Sequence, residues 1–372
     1  MNKLKIALVK QEVYQDLYVC PVTEKDPGQI LFSSMGRVGP IALMSDLNAD
    51  FYIVKEESNK ETRIYQKVIP HIAPYLHLLK TETLDKIPGQ EFKSPGSPYP
   101  NGKYAVSCYT IDWGQYDIVI SINISLPTQL ILKYPQTLFA YMIGEANMAT
   151  GKARFGYDAT LNQMARGRIS HKCGAIDFPY TFVAKDTLEK IMQQYLGRPS
   201  ARKGIFMEIN STTERPVTRI PDHFQPLADA GYEIILHQQK IADNLKNIYD
   251  AKYFVKMGGR SIRGNSVAEA VSLGTLAIMN RDEVIHHELI IDECNVKTMD
   301  EMISLINRLE NDPELYQTLQ QKQRQVLHTY FFDAPLQSLI NCLKEKRGLS
   351  KPRTYSRWNR LFDNLYLSLI RI

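Results

Sequence analysis

Gly258-Gly259-Arg260-Ser261-Ile262-Arg263-Gly264-Asn265-Ser266-Val267-Ala268-Glu269-Ala270-Val271-Ser272-Leu273-Gly274-Thr275-Leu276-Ala277-Ile278-Met279-Asn280 reads as a glycine loop, a short helix, a glycine stop and a buried strand. Permissive backbone at the glycines, the cations Arg260 and Arg263, and a helix opening at Gly264, Asn265 and Ser266 suit a diphosphate, because free N–H groups at a helix start point outward. Glu269, further into the helix, suits the two hydroxyls of a ribose. The combination points to a nucleotide-sugar site. The competing reading is an ordinary strand–loop–helix turn with solvated arginines and an alanine-rich packing helix.

Outward from this stretch, strands and helices alternate. Strands are expected at Gly204–Ile209, Tyr232–His237, Lys252–Met257 and Leu276–Met279, with helices at Pro221–Ala230 and Ile241–Tyr249. Asp312-Pro313-Glu314 is a capped helix start with proline in first position, and its helix runs to about Leu327. The first half repeats the theme with strands at Lys5–Lys10, Ala49–Lys55, Tyr116–Ile122 and Leu138–Ile143. Ile64–Leu79 has helical spacing broken by Pro70 and Pro74, Pro21–Gly28 is a loop, and the proline- and glycine-rich stretch 86–102 is a surface loop. Such alternation implies parallel sheets covered on both faces. The expected fold class is α/β, with two Rossmann-like domains facing a cleft. The expected boundaries are an acceptor domain over 1–182, a donor domain over 183–342, and a basic amphipathic tail over 343–372.

In parallel sheets ligands sit beyond the strand carboxyl ends. Asn210-Ser211-Thr212-Thr213-Glu214-Arg215 follows a strand, so Ser211 and Thr212 are candidate phosphate contacts; a plain Ser/Thr turn is the alternative. Transfer to a hydroxyl benefits from a general base. Glu145, just after Leu138–Ile143, and Asp112 are the candidates, and Trp113 beside Asp112 offers a ring to stack on a sugar. Arg37, in the glycine-rich stretch Ser33–Pro40, is a candidate contact for an acceptor or a phosphate. His286-His287-Glu288 lacks the i, i+4 spacing of a helical zinc site, so no metal site is expected, and a place at the surface or at a cleft edge is.

Composition narrows the classes. The 372 residues are 44% hydrophobic with net charge +5, and residues 343–372 alone carry +6, leaving −1 for the rest. A basic excess confined to the tail argues against a nucleic-acid-binding body. The 5 cysteines are scattered without a Cys-x-x-Cys pair, which fits a reducing compartment. The first residues hold too short an apolar run for a signal peptide, and no run approaches the ~18 apolar residues of a membrane span. A cytoplasmic protein is expected. In the tail, Trp358, Leu361, Phe362, Leu365, Tyr366 and Leu369 share a helical face flanked by Arg357 and Arg360. That face either lies on an anionic membrane or packs back on the first domain.

Arg263–Ile278 resembles the donor-site stretch of GT-B-fold glycosyltransferases, with the exostosin-like group nearest in flavour, and Asp312-Pro313-Glu314-Leu315 resembles the start of a late helix in such enzymes. The resemblance implies that Glu269 holds the donor ribose, that Arg263 and Ser266 lie near the phosphates, and that the N-terminal domain supplies the base. The Glu-x7-Glu pair frequent in retaining members is absent, since Ser261 stands where its first carboxylate falls, so stereochemistry stays open. No Asp-x-Asp tripeptide occurs, and Arg260 and Arg263 take the neutralising role of a metal. The expected activity is transfer of a sugar from a nucleotide sugar, a UDP-sugar first, to a glycan or glycolipid acceptor, without a cofactor or a nucleic-acid partner and with a membrane surface reachable through the tail. The alternatives are a nucleotide-sugar epimerase on the same fold and a non-catalytic nucleotide-binding scaffold at a membrane.

Overall fold

The apolar run Ile6-Ala7-Leu8-Val9 is almost wholly shielded from solvent, and around it the first half of the protein is organised. The computed structural model describes residues 4–11, 19–23, 26–32, 47–54, 73–79, 110–122, 126, 128–143, 157–162, 176–177, 186–197, 201–208, 217–238, 241–258, 262 and 265–351. The polypeptide divides into two units. Unit 1 comprises Met1–Asp16, Leu43–Thr181 and Ala334–Ile372, and unit 2 comprises Leu17–Ala42 and Phe182–Asp333.

Strand β1 (Ile6–Gln11) is followed by an antiparallel hairpin, β2 (Val19–Thr23) and β3 (Asp26–Phe32), that is grouped with unit 2. Then come β4 (Asp50–Val54), β5 (Leu76–Leu79), β6 (Ile118–Ile122), the short helix α1 (Thr128–Leu132), β7 (Leu138–Ile143), β8 (Ala159–Asn162) and β9 (Ile176–Asp177). Among the described residues the sheet of unit 1 is seven-stranded, in the order β5-β4-β1-β6-β7-β8-β9, with every pairing parallel. Counted in sequence order, the first six of these strands follow the 3-2-1-4-5-6 order of doubly wound nucleotide-binding sheets. Buried apolar residues fill both faces of β1, β6 and β7, as a sheet covered on two sides requires. Burial of each such residue contributes about 1.5–3 kcal/mol.

Two sequence expectations, one in unit 1 and one in the hairpin, are corrected, and two strands are added. Leu76–Leu79 is a strand paired with β4, not the end of a helix; Pro74, inside the preceding 3-10 turn Ala73–Tyr75, stops the helical spacing from propagating. The turn-rich stretch from Pro21 to Gly28 lies largely in the β2–β3 hairpin. Strands β8 and β9 add to the expected set, and no long apolar run marks either of them.

Beyond the β2–β3 hairpin, unit 2 contains α2 (Thr187–Leu196), then β10 (Ile205–Met207), α3 (Gln225–Asp229), β11 (Ile234–Ile235), α4 (Ile241–Asp250), β12 (Tyr253–Lys256), α5 (Asn265–Ser272) and β13 (Leu276–Met279). The helices α6 (Met299–Asn311) and α7 (Pro313–His328) follow. Among the described residues its sheet is four-stranded and parallel, in the order β11-β10-β12-β13. Along β12, Tyr253 and Val255 enter the core formed with Met302, Ile306, Leu309 and Leu319 of α6 and α7. Phe254 points to the other face and stacks on Phe206 with ring centroids 5.6 Å apart.

Two devices finish this sheet. β13 is its last strand, and Gln323 of α7 takes the place of a further neighbour: its Oε1 accepts the Ala277 N–H at 2.9 Å, and its Nε2 donates to the Ala277 C=O at 2.8 Å. Helix α5 ends in a Schellman turn, with Thr275 N–H bonded to Ala270 C=O and Gly274 N–H to Val271 C=O. Gly274 sits at φ +80°, a left-handed conformation that favours glycine. Arg202 and Arg324 donate to the carbonyls of Leu273 and Ser272, placing cations at the negative end of the helix.

After α7 the backbone makes a π turn, Thr329–Asp333, and enters α8 (Ala334–Arg347). Pro335 has no N–H to give to the carbonyl four residues earlier, which accounts for the widened turn at this position. α8 belongs to unit 1, where Lys346 and Arg347 bond to the segments that lead into β6, β7 and β8. Two of the cations that the sequence assigns to a membrane-facing or packing tail are thus committed to Asp158 and Asp117; Trp358 and the remainder of the apolar face lie outside the described residues. Among the described residues no helix is long and apolar enough to cross a membrane.

Candidate functional site

In the sheet of unit 2 the backbone goes from β10 outward to β11, then returns to the other side of β10 for β12. The winding direction therefore reverses between β10 and β12, and in open parallel sheets ligands bind beyond the strand carboxyl ends at such a reversal. Two connections leave the sheet there. One follows Glu208, whose N–H continues the ladder to Val255 C=O at 2.9 Å. The other follows Lys256 and Met257 and begins at Gly258, which sits at φ +70°, with no atom of the described residues within 4 Å of where a Cβ would project. The sequence between Gly258 and α5 is the glycine–arginine loop.

The edge carries several buried ionisable side chains. Glu208 and His237 are each 4% exposed and lie 3.9 Å apart, Nε2 to Oε1. His237 Nδ1 is 2.8 Å from Gln238 C=O and 3.1 Å from Asn244 Nδ2, while Asn244 Oδ1 accepts the Gln238 N–H at 2.6 Å. Asn244, on α4, thereby fixes the backbone directly after β11. At the end of β12, Lys256 has no exposed side-chain surface and bonds to Glu283 Oε2 at 2.7 Å. Buried charges of this kind are retained only when paired and hydrogen-bonded.

Glu269 is on α5 and is 4% exposed, flanked by Ala268 and Ala270, which have no exposed surface. α5 packs against α2, α4, α7 and β13, and its small residues let it sit that deeply. Ser266, at the start of the helix, is half-buried, and Asn265 is its first residue. Arg260, Arg263, Ser211, Thr212, Arg37 and Glu145 lie outside the described residues.

Asp112 is exposed and caps the 3-10 turn Trp113–Gln115, its Oδ1 accepting the Gly114 N–H at 3.1 Å. It precedes β6, at the amino end of the sheet, opposite to the edge where ligands of a parallel sheet bind. Trp113 is fully buried in the core of unit 1 with Tyr52 and Tyr116, so it has no face to offer a sugar. His286 is buried against Phe331 with ring centroids 5.7 Å apart, which corrects its expected place at the surface or a cleft edge. Among the described residues no three His, Cys, Asp or Glu side chains gather into a metal-holding group.

Glu208, His237, Lys256 and Glu283 are not among the site residues that the sequence points to. For Glu208 and Lys256 a signal exists: each is a charged residue closing an otherwise apolar strand, as in Ile205-Phe206-Met207-Glu208 and Tyr253-Phe254-Val255-Lys256.

No family model and no curated protein matches this protein. Among solved structures it is similar to a DNA-modifying β-glucosyltransferase, at 11% identity and TM-score 0.37, over 99% of this chain and 100% of that one. It is similar to a UDP-N-acetylglucosamine 2-epimerase at 12% identity and TM-score 0.42, over 95% of this chain and 100% of that one. It is also similar to the N-terminal domain of Candida albicans trehalose-6-phosphate phosphatase, at 10% identity and TM-score 0.47, over 93% of this chain and 98% of that one. Likeness at this level assigns neither an activity nor a residue role.

Proposed function

We propose that the protein is a GT-B-type glycosyltransferase that takes a sugar from a nucleotide sugar and passes it to a glycan or glycolipid hydroxyl. The observation that carries this reading is the coincidence, in unit 2, of the β10/β12 reversal with the Gly258 loop and the start of α5. The donor diphosphate is assigned to that edge. Arg260 and Arg263 neutralise it, the N–H groups at Asn265 and Ser266 receive its oxygens, and Ser211 and Thr212 approach from the connection after β10. Glu269 is the proposed partner of the ribose. The arginines supply the positive charge that stabilises the departing diphosphate, so no metal is required in this scheme.

Of the two candidate bases, Glu145 is preferred, since it follows β7 at the carboxyl end whereas Asp112 precedes β6. Arg37 is retained as a candidate contact for the acceptor or a phosphate. The tail beyond α8 is the candidate membrane contact.

The test is a thermal-shift series with UDP, GDP, ADP and the matching nucleosides, since a ligand of the folded state alone raises its melting temperature. A shift with one nucleoside diphosphate supports the donor site. Incubation of the corresponding nucleotide sugar without acceptor then separates the chemistries: slow release of free sugar fits a transferase, conversion of the sugar fits an epimerase, and binding without turnover fits a scaffold. No shift with any of the ligands refutes the donor site.

A further inference from the structure

Gly258 is held at both of its backbone polar groups by two charged side chains that are themselves paired. Its N–H donates to Glu283 Oε1 at 2.9 Å, and its C=O accepts from Lys256 Nζ at 2.6 Å. Lys256 Nζ also meets Glu283 Oε2 at 2.7 Å. Further along, Ile262 N–H donates to the backbone C=O of Glu283 at 2.9 Å, and Ile262 C=O accepts the Ile285 N–H at 2.9 Å. The described residues at the start and near the end of the glycine–arginine loop are therefore tied to one short segment, 283–285, from a different part of unit 2.

A turn does not need this arrangement. The positive φ at Gly258 already reverses the backbone, and placing an ammonium where it has no exposed surface is unfavourable unless it is fully partnered. What the pair adds is rigidity without net charge. Glu283 cancels Lys256, so the pair itself brings no net negative charge to the start of the loop. Burial removes Lys256 from direct contact with a ligand, and its action runs through the Gly258 peptide. Fixing a loop before a ligand arrives lowers the ordering cost of binding.

We propose that Lys256 and Glu283 are positioning residues that hold the backbone at Gly258, where the chain leaves β12, in place for the diphosphate of the donor. This rests on the donor site proposed above, and it assigns a role to two residues outside that site. The expected signature is selective: the pair matters for ligands that carry phosphates and not for the nucleoside portion.

The experiment compares parent, Glu283→Ala and Glu283→Gln by calorimetry with UDP and with uridine, the variants being checked for folding by circular dichroism and melting temperature. ADP with adenosine, or GDP with guanosine, replaces the pair if the parent prefers that base. Glu283→Ala is expected to weaken the diphosphate about tenfold, the scale of one hydrogen bond to a charged group, and to leave nucleoside affinity unchanged. Glu283→Gln keeps an acceptor for the Gly258 N–H while removing the charge opposite Lys256, and a smaller loss is expected; it carries the comparison if the alanine variant does not fold. If the parent binds the diphosphate and the folded variants bind it equally well, the positioning role is overturned and the donor site stands. Equal weakening of nucleoside and diphosphate also overturns it, because that is general damage. If the parent binds no nucleoside diphosphate, the donor site falls and takes this inference with it.

Discussion

Arg347 Nη2 lies 2.7 Å from Asp117 Oδ1, although 230 positions separate them in the sequence. Asp117 also accepts the Lys5 N–H at 2.8 Å, so the start of β1, the lead-in to β6 and the end of α8 meet at one carboxylate. Desolvation alone would raise the Asp117 pKa, but the Lys5 N–H and Arg347 outweigh it and hold the group below its ordinary value. A depressed carboxylate contributes stability that is present above the unfolded value of about 4 and lost as pH falls through the folded one. Arg347→Ala is therefore expected to be less stable than the parent at neutral pH, by about 0.5 kcal/mol because the pair is partly exposed. The difference should close in acid, and urea unfolding at a series of pH values measures it. A gap that persists unchanged at the acid end refutes this linkage.

Gln323 is the second point of leverage. It satisfies both backbone groups of Ala277 at the edge of the second sheet, and it is itself only 1% exposed. Gln323→Leu fills a similar volume but leaves a buried N–H and C=O without their partner. A loss of about 2–6 kcal/mol is expected, at about 1–3 kcal/mol for each of the two buried groups left unmatched. Chemical denaturation reads the loss, and a variant as stable as the parent would contradict the proposed edge cover.

Burial pushes the Cys294 thiol up to about 12, with the nearby Glu293 charge adding to the effect. The thiolate is the reactive form, so at about pH 8 the folded protein should leave Cys294 unmodified by iodoacetamide while the denatured protein is labelled there. Peptide mass spectrometry decides the matter. Rapid native labelling would show that the segment around Cys294 opens readily.

Glu269 carries the sharpest test of the proposed ribose contact, because it is also a candidate for helix packing. Glu269→Gln preserves shape and removes charge. If the carboxylate receives the ribose, nucleoside affinity falls by about 1–3 kcal/mol. A folded variant with undiminished affinity assigns Glu269 to the interior of unit 2 alone.

Much of the architecture is visible in apolar runs. Leu138–Ile143 and Leu276–Met279 mark β7 and β13 to the residue, and Asp312-Pro313 marks the start of α7, where Asp312 Oδ1 accepts the Leu315 N–H at 2.9 Å. Helix α6 is not among the sequence expectations, although Thr298 and Glu301 form a reciprocal capping box, a signal available from spacing alone. β5 escapes the sequence reading because a short strand in a helix-spaced stretch is recognised only by its neighbour β4. The site divides the same way. A glycine requirement at 258 is legible, since the loop asks for a left-handed residue. The Lys256–Glu283 pair is not, because the two are 27 positions apart and nothing local in either segment names the other.

The path of the backbone through Pro335 has a consequence for synthesis. Unit 1 receives its last helix, α8, only after all of unit 2 has been translated. On the ribosome unit 2 can therefore close while its predecessor still waits for Lys346 and Arg347 to reach the carboxylates at the amino ends of its strands. A premature stop shortly after Asp333 would spare the later-made half and leave the earlier-made half unfinished.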